Sequence, residues 1–166
     1  MGFTGKPQLT TAAPLENNGF WPDLQVGELM TKYRIPAEYA DDTIMWGLTL
    51  AVVNVNDVLK PVKAKLEADG YPSLADYNSA QPEPVNSIQV TDIHYQHAVY
   101  SYAKAFLLKQ FNSMNRRQDA ENAAKEAPET ETDWLNESRA AISKLFAKFL
   151  SDDDKPSIDG FHVWLM

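Results

Sequence analysis

The segment 91–117 carries a seven-residue repeat that constrains the fold more than any other stretch of the chain. Residues three, four and seven apart share one face of an α-helix, so the repeat predicts a single long helix from about Thr91 to Arg117. Extra apolar positions widen the stripe, which is typical of a helix that packs on more than one neighbour. The stripe comprises Ile93, Tyr100, Leu107 and Met114, with His97, Lys104 and Phe111 four residues later, and Val99, Ala103 and Phe106 beside them.

Two more helices are predicted in the first half of the chain. Asp23 is a residue type that caps helices, and a short helix is expected from Leu24 to Tyr33. A longer helix is expected from Pro36 to about Ala68, with a kink or break near Leu59 because Pro61 lies inside it. The apolar stripe assigned to this longer helix is Trp46, Leu50, Val53, Val58, Val62 and Leu66.

The remaining segments complete an all-α prediction. Residues 71–87 are expected to form a loop with at most one helical turn, and a fourth helix is expected from Thr132 to Ser151. The side chains expected to be buried in that helix are Leu135, Ile142, Leu145, Phe146, Phe149 and Leu150. No strand pattern precedes the C-terminal tail. The chain is therefore predicted to be an antiparallel bundle of about four helices. The predicted order along the chain is an irregular N-terminal arm (1–22), the bundle (23–151), and a linker with a C-terminal docking arm (152–166).

The chain ends on an apolar hexapeptide, Phe161-His162-Val163-Trp164-Leu165-Met166, after an acidic run and helix-breaking residues. In an extended conformation both faces of this tail are apolar, which is typical of a strand enclosed between other elements. The pattern favours docking onto another chain by strand addition, through Phe161, Val163, Trp164 and Leu165. A tail that folds back onto its own domain is the alternative, and the tail sequence does not separate the two.

Charge and composition exclude several classes of function. The formal net charge of −8, from 23 acidic residues against 15 Lys and Arg, argues against tight wrapping of nucleic acid but not against encircling it. The absence of cysteine excludes disulfides, thiolate catalysis and Cys-ligated metals. The longest apolar run, Ile44 to Val53, is too short to span a bilayer, and the N-terminus lacks a secretion signal. A site of action where the protein is made, or within a larger particle, is expected.

Enzymatic and metal-binding readings have little support in the sequence. His94 and His97 are three residues apart on a helix, but a metal site needs three or four ligands, so we interpret His97 as a core or boundary histidine. The run Asp152–Asp154 lacks the Gly and Glu of an EF-hand loop and is interpreted as a solvated linker. No activated nucleophile or phosphate-binding loop is present in the sequence. We expect no enzyme activity and no cofactor.

The acidic stretch 119–137 has two interpretations. It can be a solvated surface loop, or it can line the lumen of a ring, where negative charge repels DNA phosphates and keeps a polyanion mobile. The candidate lumen residues are Asp119, Glu121, Glu126, Glu129 and Glu131.

Aromatic and small residues mark candidate packing positions. Tyr95 and Tyr102 alternate with alanines on the long helix, and Phe20-Trp21 precede the first helix. These residues are candidate anchors, either of the core or of a contact between subunits.

The order of these segments resembles one family of phage proteins. The residues that carry the resemblance are Phe20-Trp21-Pro22-Asp23, Val55-Asn56 with Leu59, Gly70-Tyr71 with Leu74, Tyr95 with Ala98-Val99, Ala103 with Ala105 and Leu107, Arg116-Arg117, and Arg139-Ala140-Ala141-Ile142. Over about residues 19–166 the chain resembles the head-completion protein (GPL) family of contractile-tailed phages, which is related in fold to head-to-tail connector adaptors. The C-terminal hexapeptide and the stretch after Arg117 depart from the family pattern.

The resemblance implies a structural role in the virion. It implies helical subunits that form a ring, usually of twelve copies, beneath the portal protein of a filled head. The ring continues the DNA channel without sequence-specific binding, stabilises the packaged genome and receives the next neck or tail component. Assembly in the bacterial host cytoplasm is expected, with no membrane partner. The alternatives are another neck component (a stopper or a tail terminator, usually rich in strands) or a small helical regulatory module that binds protein.

Overall fold

The computed structural model describes residues 14–36, 39–115 and 130–156, with the side chains of 111–115 excepted. Within these residues the order of elements is α1 (Val26–Lys32), α2 (Asp41–Val58), α3 (Lys60–Ala68), α4 (Leu74–Ala80), β1 (Pro84–Val85), β2 (Ile88–Gln89), α5 (Val90–Asn115) and α6 (Glu131–Phe149), followed by a 3₁₀ turn (Asp152–Asp154). The prediction of a predominantly helical bundle is confirmed. The described part contains six α-helices rather than about four.

The central element is α5, which packs against both α2 and α6. Gly47 of α2 lies against Phe106 of α5, whereas Asn56, further along α2, meets Tyr95. The two helices therefore run antiparallel. The same holds for α6, because Ser138 Oγ donates to the Ala98 carbonyl oxygen while Trp134 lies near Lys104. The long repeat of α5 thus serves two neighbouring helices, as its width predicted.

The predicted break near Leu59 separates α2 from α3. Leu59 ends α2 by donating its N–H to the Val55 carbonyl oxygen at 2.9 Å, and it also precedes the first residue of α3. Pro61 has no N–H to donate, which is tolerated in the first turn of a helix but not in its interior. The predicted start of the longer helix at Pro36 is wrong. Helix α2 begins at Asp41, where two acidic residues face the positive end of the helix dipole.

The first helix also begins later than predicted. Leu24 pairs through its backbone with Leu15, at 2.8 and 3.1 Å, so it lies in an extended bridge rather than in α1. Asp23 does not cap α1, because its carboxylate accepts the backbone N–H of Asn17 at 2.8 Å. Both prediction errors have one cause. The segment before α1 folds back on itself, and Asp23 and Leu24 form hydrogen bonds with Asn17 and Leu15 instead of taking part in α1.

Residues 71–90 contain more structure than the predicted loop. Ser73 caps α4 by accepting the Asp76 N–H, and α4 then runs for about two turns. Strands β1 and β2 form a hairpin whose turn residues, Asn86 and Ser87, both have positive φ. The expectation of no strand before the tail is wrong, since strands of two residues are too short to show alternation.

Helix α6 packs against a second face of α5. Thr130 and Asp133 form a capping box, in which Thr130 Oγ1 accepts the Asp133 N–H and Asp133 accepts the Thr130 N–H. Four of the six side chains predicted to be buried are fully enclosed, whereas Phe149 and Leu150 are only half-buried at the end of the helix.

Candidate assembly surfaces

The N-terminal segment is fastened to the bundle by two aromatic side chains. Phe20 and Trp21 are 4 % and 3 % exposed, and their rings meet edge to face at 4.9 Å. Tyr95 and Tyr102 on α5 are also buried. All four candidate anchors therefore lie in the core of the chain, and none is exposed on its surface.

A triangle of polar side chains lies beneath this aromatic contact. Asn17 Nδ2 donates to Tyr95 Oη at 2.7 Å, Tyr95 Oη donates to Asn56 Oδ1 at 2.7 Å, and Asn56 Nδ2 donates to Asn17 Oδ1 at 2.9 Å. Burial raises the pKa of Tyr95 far above its usual range, so the phenol stays neutral and keeps its proton for Asn56. The triangle ties residue 17 to α2 and α5 together.

Of the two histidines on α5, His97 links that helix to α6 and to the end of α1. His97 Nδ1 lies 2.7 Å from Tyr33 Oη, and its Nε2 lies 3.4 Å from Glu137 on α6. Burial, reinforced by the nearby charge of Lys144, lowers the pKa of His94. No group of three or more His, Asp or Glu side chains suited to a metal ion occurs in the described ranges.

A buried cation stabilises the end of α1. Lys104 is 5 % exposed, and its Nζ donates to the carbonyl oxygen of Tyr33 at 2.8 Å while lying 5.4 Å from the ring centre of Trp134. Carbonyl groups at a helix C-terminus carry partial negative charge, which a cation neutralises. This contact with the end of α1 explains why Lys104 lies in the apolar stripe of α5.

The outer face of α2, formed by Trp46, Leu50 and Val53, is exposed to solvent. Trp46 is 58 % and Val53 60 % exposed, and Leu50 is half-buried between them. The apolar stripe read from the sequence, which includes Trp46 and Val53, is therefore not the buried face of α2. The buried residues of α2 are Ile44, Gly47, Leu48, Ala51, Val52 and Val55. This second stripe includes two small residues that let α2 approach α5 closely, and this is the signal that sequence reasoning missed.

The outer face of α6, formed by Asn136, Ala140, Ser143 and Ala147, is also exposed. These residues follow one another at intervals of four, three and four, so they lie on one side of the helix. The opposite side of α6 carries the buried core residues. Small side chains along a helix leave a shallow groove that a bulkier surface can fill.

Most of the predicted docking and lumen residues lie outside the described residues. These are Phe161, Val163, Trp164 and Leu165 of the tail, and Asp119, Glu121, Glu126 and Glu129 of the acidic stretch. Glu131 is described: it occupies the first turn of α6, where it adds to the rise in the pKa of Tyr102 that burial causes.

Comparisons with known proteins agree on one family. The sequence profile of the phage head completion protein (GPL) family matches residues 15–149, which span α1 to α6. A relative in Haemophilus phage HP1 (strain HP1c1), described as a probable head completion/stabilization protein, is 28% identical over 120 residues, covering 72% of this chain and 78% of the relative. No solved structure matches at a significant level. No helix within the described residues combines the length and apolarity that crossing a bilayer requires. The chain belongs to the phage head completion protein (GPL) family.

Proposed function

We propose that this protein is a head-to-tail connector subunit, which assembles as a ring on the portal of a DNA-filled phage head and continues the DNA channel. The observation that carries the proposal is the outer face of α2. Trp46 and Val53 stand mostly in solvent on one side of a helix whose other side is completely buried. Exposed apolar side chains that adjoin one another on one face of a helix favour a contact with another protein.

Family membership supports the broader part of the proposal. Proteins of this family complete the phage head, so the chain has a structural role in head assembly and is a component of the virion. The helical fold favours an adaptor over a stopper or tail terminator, which are usually rich in strands. Twelve copies, contact with the next neck component and assembly in the host cytoplasm belong to the proposal.

The charge of the chain suits the passage of DNA. The net charge of −8 gives little attraction to phosphates, and acidic residues facing a lumen would repel them. We assign the lumen to the stretch that contains Asp119, Glu121, Glu126, Glu129 and Glu131. A reconstruction that places this stretch on the outer wall of the ring overturns that assignment.

The C-terminal hexapeptide is the proposed portal-docking arm. Its nearly continuous apolar sequence gives both faces of an extended strand apolar side chains, and such a strand can add to a sheet or fill a groove between portal subunits. Contact with the portal also removes Phe161, Val163, Trp164 and Leu165 from water, which favours docking.

The test is single-particle imaging of the full chain mixed with the portal protein encoded beside it. A symmetric ring of added density that caps the portal is the expected result. Portals without added density would refute the connector function and favour a regulatory module instead.

The docking arm is tested in the same experiment with two variants. One replaces Phe161, Val163, Trp164 and Leu165 by serine, and its matched control replaces Asp152, Asp153 and Asp154 by serine. Both change the C-terminal region, but only the first removes apolar area. Loss of portal binding in the first alone is expected, and equal binding by both rejects the arm as the docking element.

A further inference from the structure

The chemistry of the outer face of α2 restricts the kind of surface that can bind it. Its three apolar side chains, Trp46, Leu50 and Val53, lie on a helix that carries three acidic residues and no cation. Asp42 lies beside Trp46 at the rim of a shallow depression that Phe106 and Gln110 also line. A bulky apolar ridge with an acidic border requires a partner surface that is recessed and basic.

The outer face of α6 offers a recess rather than a ridge. Its residues are small; the acidic side chains of the helix, Glu131, Asp133 and Glu137, lie in its first half, and the cations Arg139, Lys144 and Lys148 lie in its second half. Lys144 is exposed beside Ser143, and Lys148 forms an ion pair with Glu83. The Nε atom of Arg139 is buried and has no hydrogen-bond partner among the described residues, while one of its terminal nitrogens donates to Asn136 Oδ1 at 2.9 Å. One polar donor on α6 is thus left unsatisfied within the subunit.

The two helices also match in length and placement. Helix α2 has 18 residues and α6 has 19, so each is about 27–29 Å long at 1.5 Å per residue. Both turn their buried faces towards α5, so their outer faces are two separate surfaces of the subunit. Complementary but different surfaces on one subunit produce head-to-tail contacts, which close into a ring when the rotation between copies permits.

We propose that the outer face of α2 in one subunit packs against the outer face of α6 in the next copy of this chain. The proposal rests on the proposed ring and names the contact that builds it. Trp46, Leu50 and Val53 form the ridge, and Ala140, Ser143 and Ala147 form the groove that receives it. Asp42 and Lys144 give the contact its charge complementarity.

The natural absence of cysteine makes disulfide cross-linking a direct test. One preparation carries Val53→Cys, and others carry Ala140→Cys, Ser143→Cys or Ala147→Cys, in chains of distinguishable mass. The preparations are mixed in pairs on the portal and then oxidised. A mixed dimer of Val53→Cys with at least one α6 variant is expected. The matched control is Ala80→Cys, an exposed alanine at the end of α4, which should give no mixed dimer.

The other possible outcomes of the cross-linking test each have a distinct meaning. Ring density on the portal without any α2–α6 cross-link overturns this contact and leaves the connector function intact. An unmodified chain that adds no density to the portal removes the connector function itself. A dimer of Val53→Cys with itself, or with His162→Cys in the tail, shows that a symmetric contact or the tail covers α2 and rejects the proposal.

Substitution of the ridge gives a second, independent readout. Val53→Lys should raise the concentration for half-maximal ring formation at least tenfold, because a cation enters the apolar contact. Its control is Val85→Lys in the hairpin, a valine of nearly equal exposure (57 % against 60 %), which should leave assembly unchanged. Equal effects of the two variants reject the proposed contact.

Asp42→Lys should also weaken assembly, and combining it with Lys144→Glu in the same chain should restore assembly.

Discussion

The indole of Trp21 stacks on the phenol ring of Tyr95 with the ring centres 4.8 Å apart and the planes inclined by only 1°. Trp21 belongs to the irregular segment before α1, and Tyr95 belongs to the central helix α5. Two rings that stack over such a sequence separation hold the segment in one position, because both are buried. The segment that precedes α1 is consequently part of the core.

Trp21→Ala should lower the free energy of unfolding by about 3–5 kcal/mol, the usual cost of removing a large buried aromatic side chain. Trp46→Ala is the matched control, since this tryptophan is 58 % exposed and its loss should change stability by no more than about 0.5 kcal/mol. Urea denaturation followed by circular dichroism measures both. A Trp46→Ala variant as unstable as Trp21→Ala would contradict the assignment of Trp46 to an outer surface.

Tyr95→Phe should cost about 1–3 kcal/mol while leaving the ring stack in place. The hydroxyl group accepts from Asn17 and donates to Asn56. Its removal leaves Asn56 Oδ1 without its donor in a largely buried position, whereas Asn17 Nδ2 keeps its bond to the Pro22 carbonyl oxygen. The control is Tyr71→Phe, whose hydroxyl group makes no hydrogen bond to a described residue, and its cost should be under about 0.5 kcal/mol. Equal unfolding midpoints in urea for the two variants would show that the polar triangle contributes nothing.

The buried tyrosines predict a loss of stability in alkali. Burial raises the pKa of Tyr33 to about 12 and that of Tyr39 to about 12, against an ordinary value of 10.0. A folded-state pKa above the unfolded one means that the folded chain holds its protons more tightly, so stability is complete below pH 10 and declines as the pH rises through 12. Phenolate absorbance at 295 nm should therefore rise together with the loss of helical circular dichroism.

One variant isolates the contribution of Tyr39 to the loss of stability at high pH. Tyr39→Phe removes a titrating group and the hydrogen bond to the Leu107 carbonyl oxygen, so it lowers stability at neutral pH. It should nevertheless flatten the slope of unfolding free energy against pH above 10. An unchanged slope would mean that Tyr39 titrates normally in the folded protein.

The sequence predicted the long helices well because their signals are redundant. Helix α5 has an apolar or packing residue at almost every position of two faces, and α6 has both a capping box and a continuous stripe. Errors of a few residues at their ends do not alter which faces pack. Short elements lack this redundancy, and the hairpin Pro84–Gln89 escaped prediction for that reason.

The face of α2 shows a different limit of sequence reasoning. The helix has two apolar stripes of similar spacing, and periodicity alone does not say which one meets α5. Gly47 and Ala51 decide the outcome, because small residues allow two helices to approach closely. The sequence therefore showed every residue of the outer face as apolar but did not show that this face is the exposed one.

Gly47 gives the sharpest test of that close approach. A Cβ atom added at this position would lie 3.0 Å from Phe106 Cδ1, which is closer than a relaxed contact, and 3.4 Å from Leu107 Cδ2, which is an ordinary contact. Gly47→Val should lower stability by about 1–3 kcal/mol through overpacking. Leu50→Val, which places the same side chain on the outer face of the same helix, should cost about 0.5 kcal/mol.

The clash itself can be isolated with a double-mutant cycle. Phe106→Ala removes the ring that a Cβ at position 47 would meet, so the combined variant Gly47→Val with Phe106→Ala should be more stable than the sum of the two single changes implies. The expected coupling is about 0.5–3 kcal/mol, measured by urea denaturation of all four proteins. Strict additivity would place Gly47 away from Phe106 and would reverse the assignment of the inner and outer faces of α2.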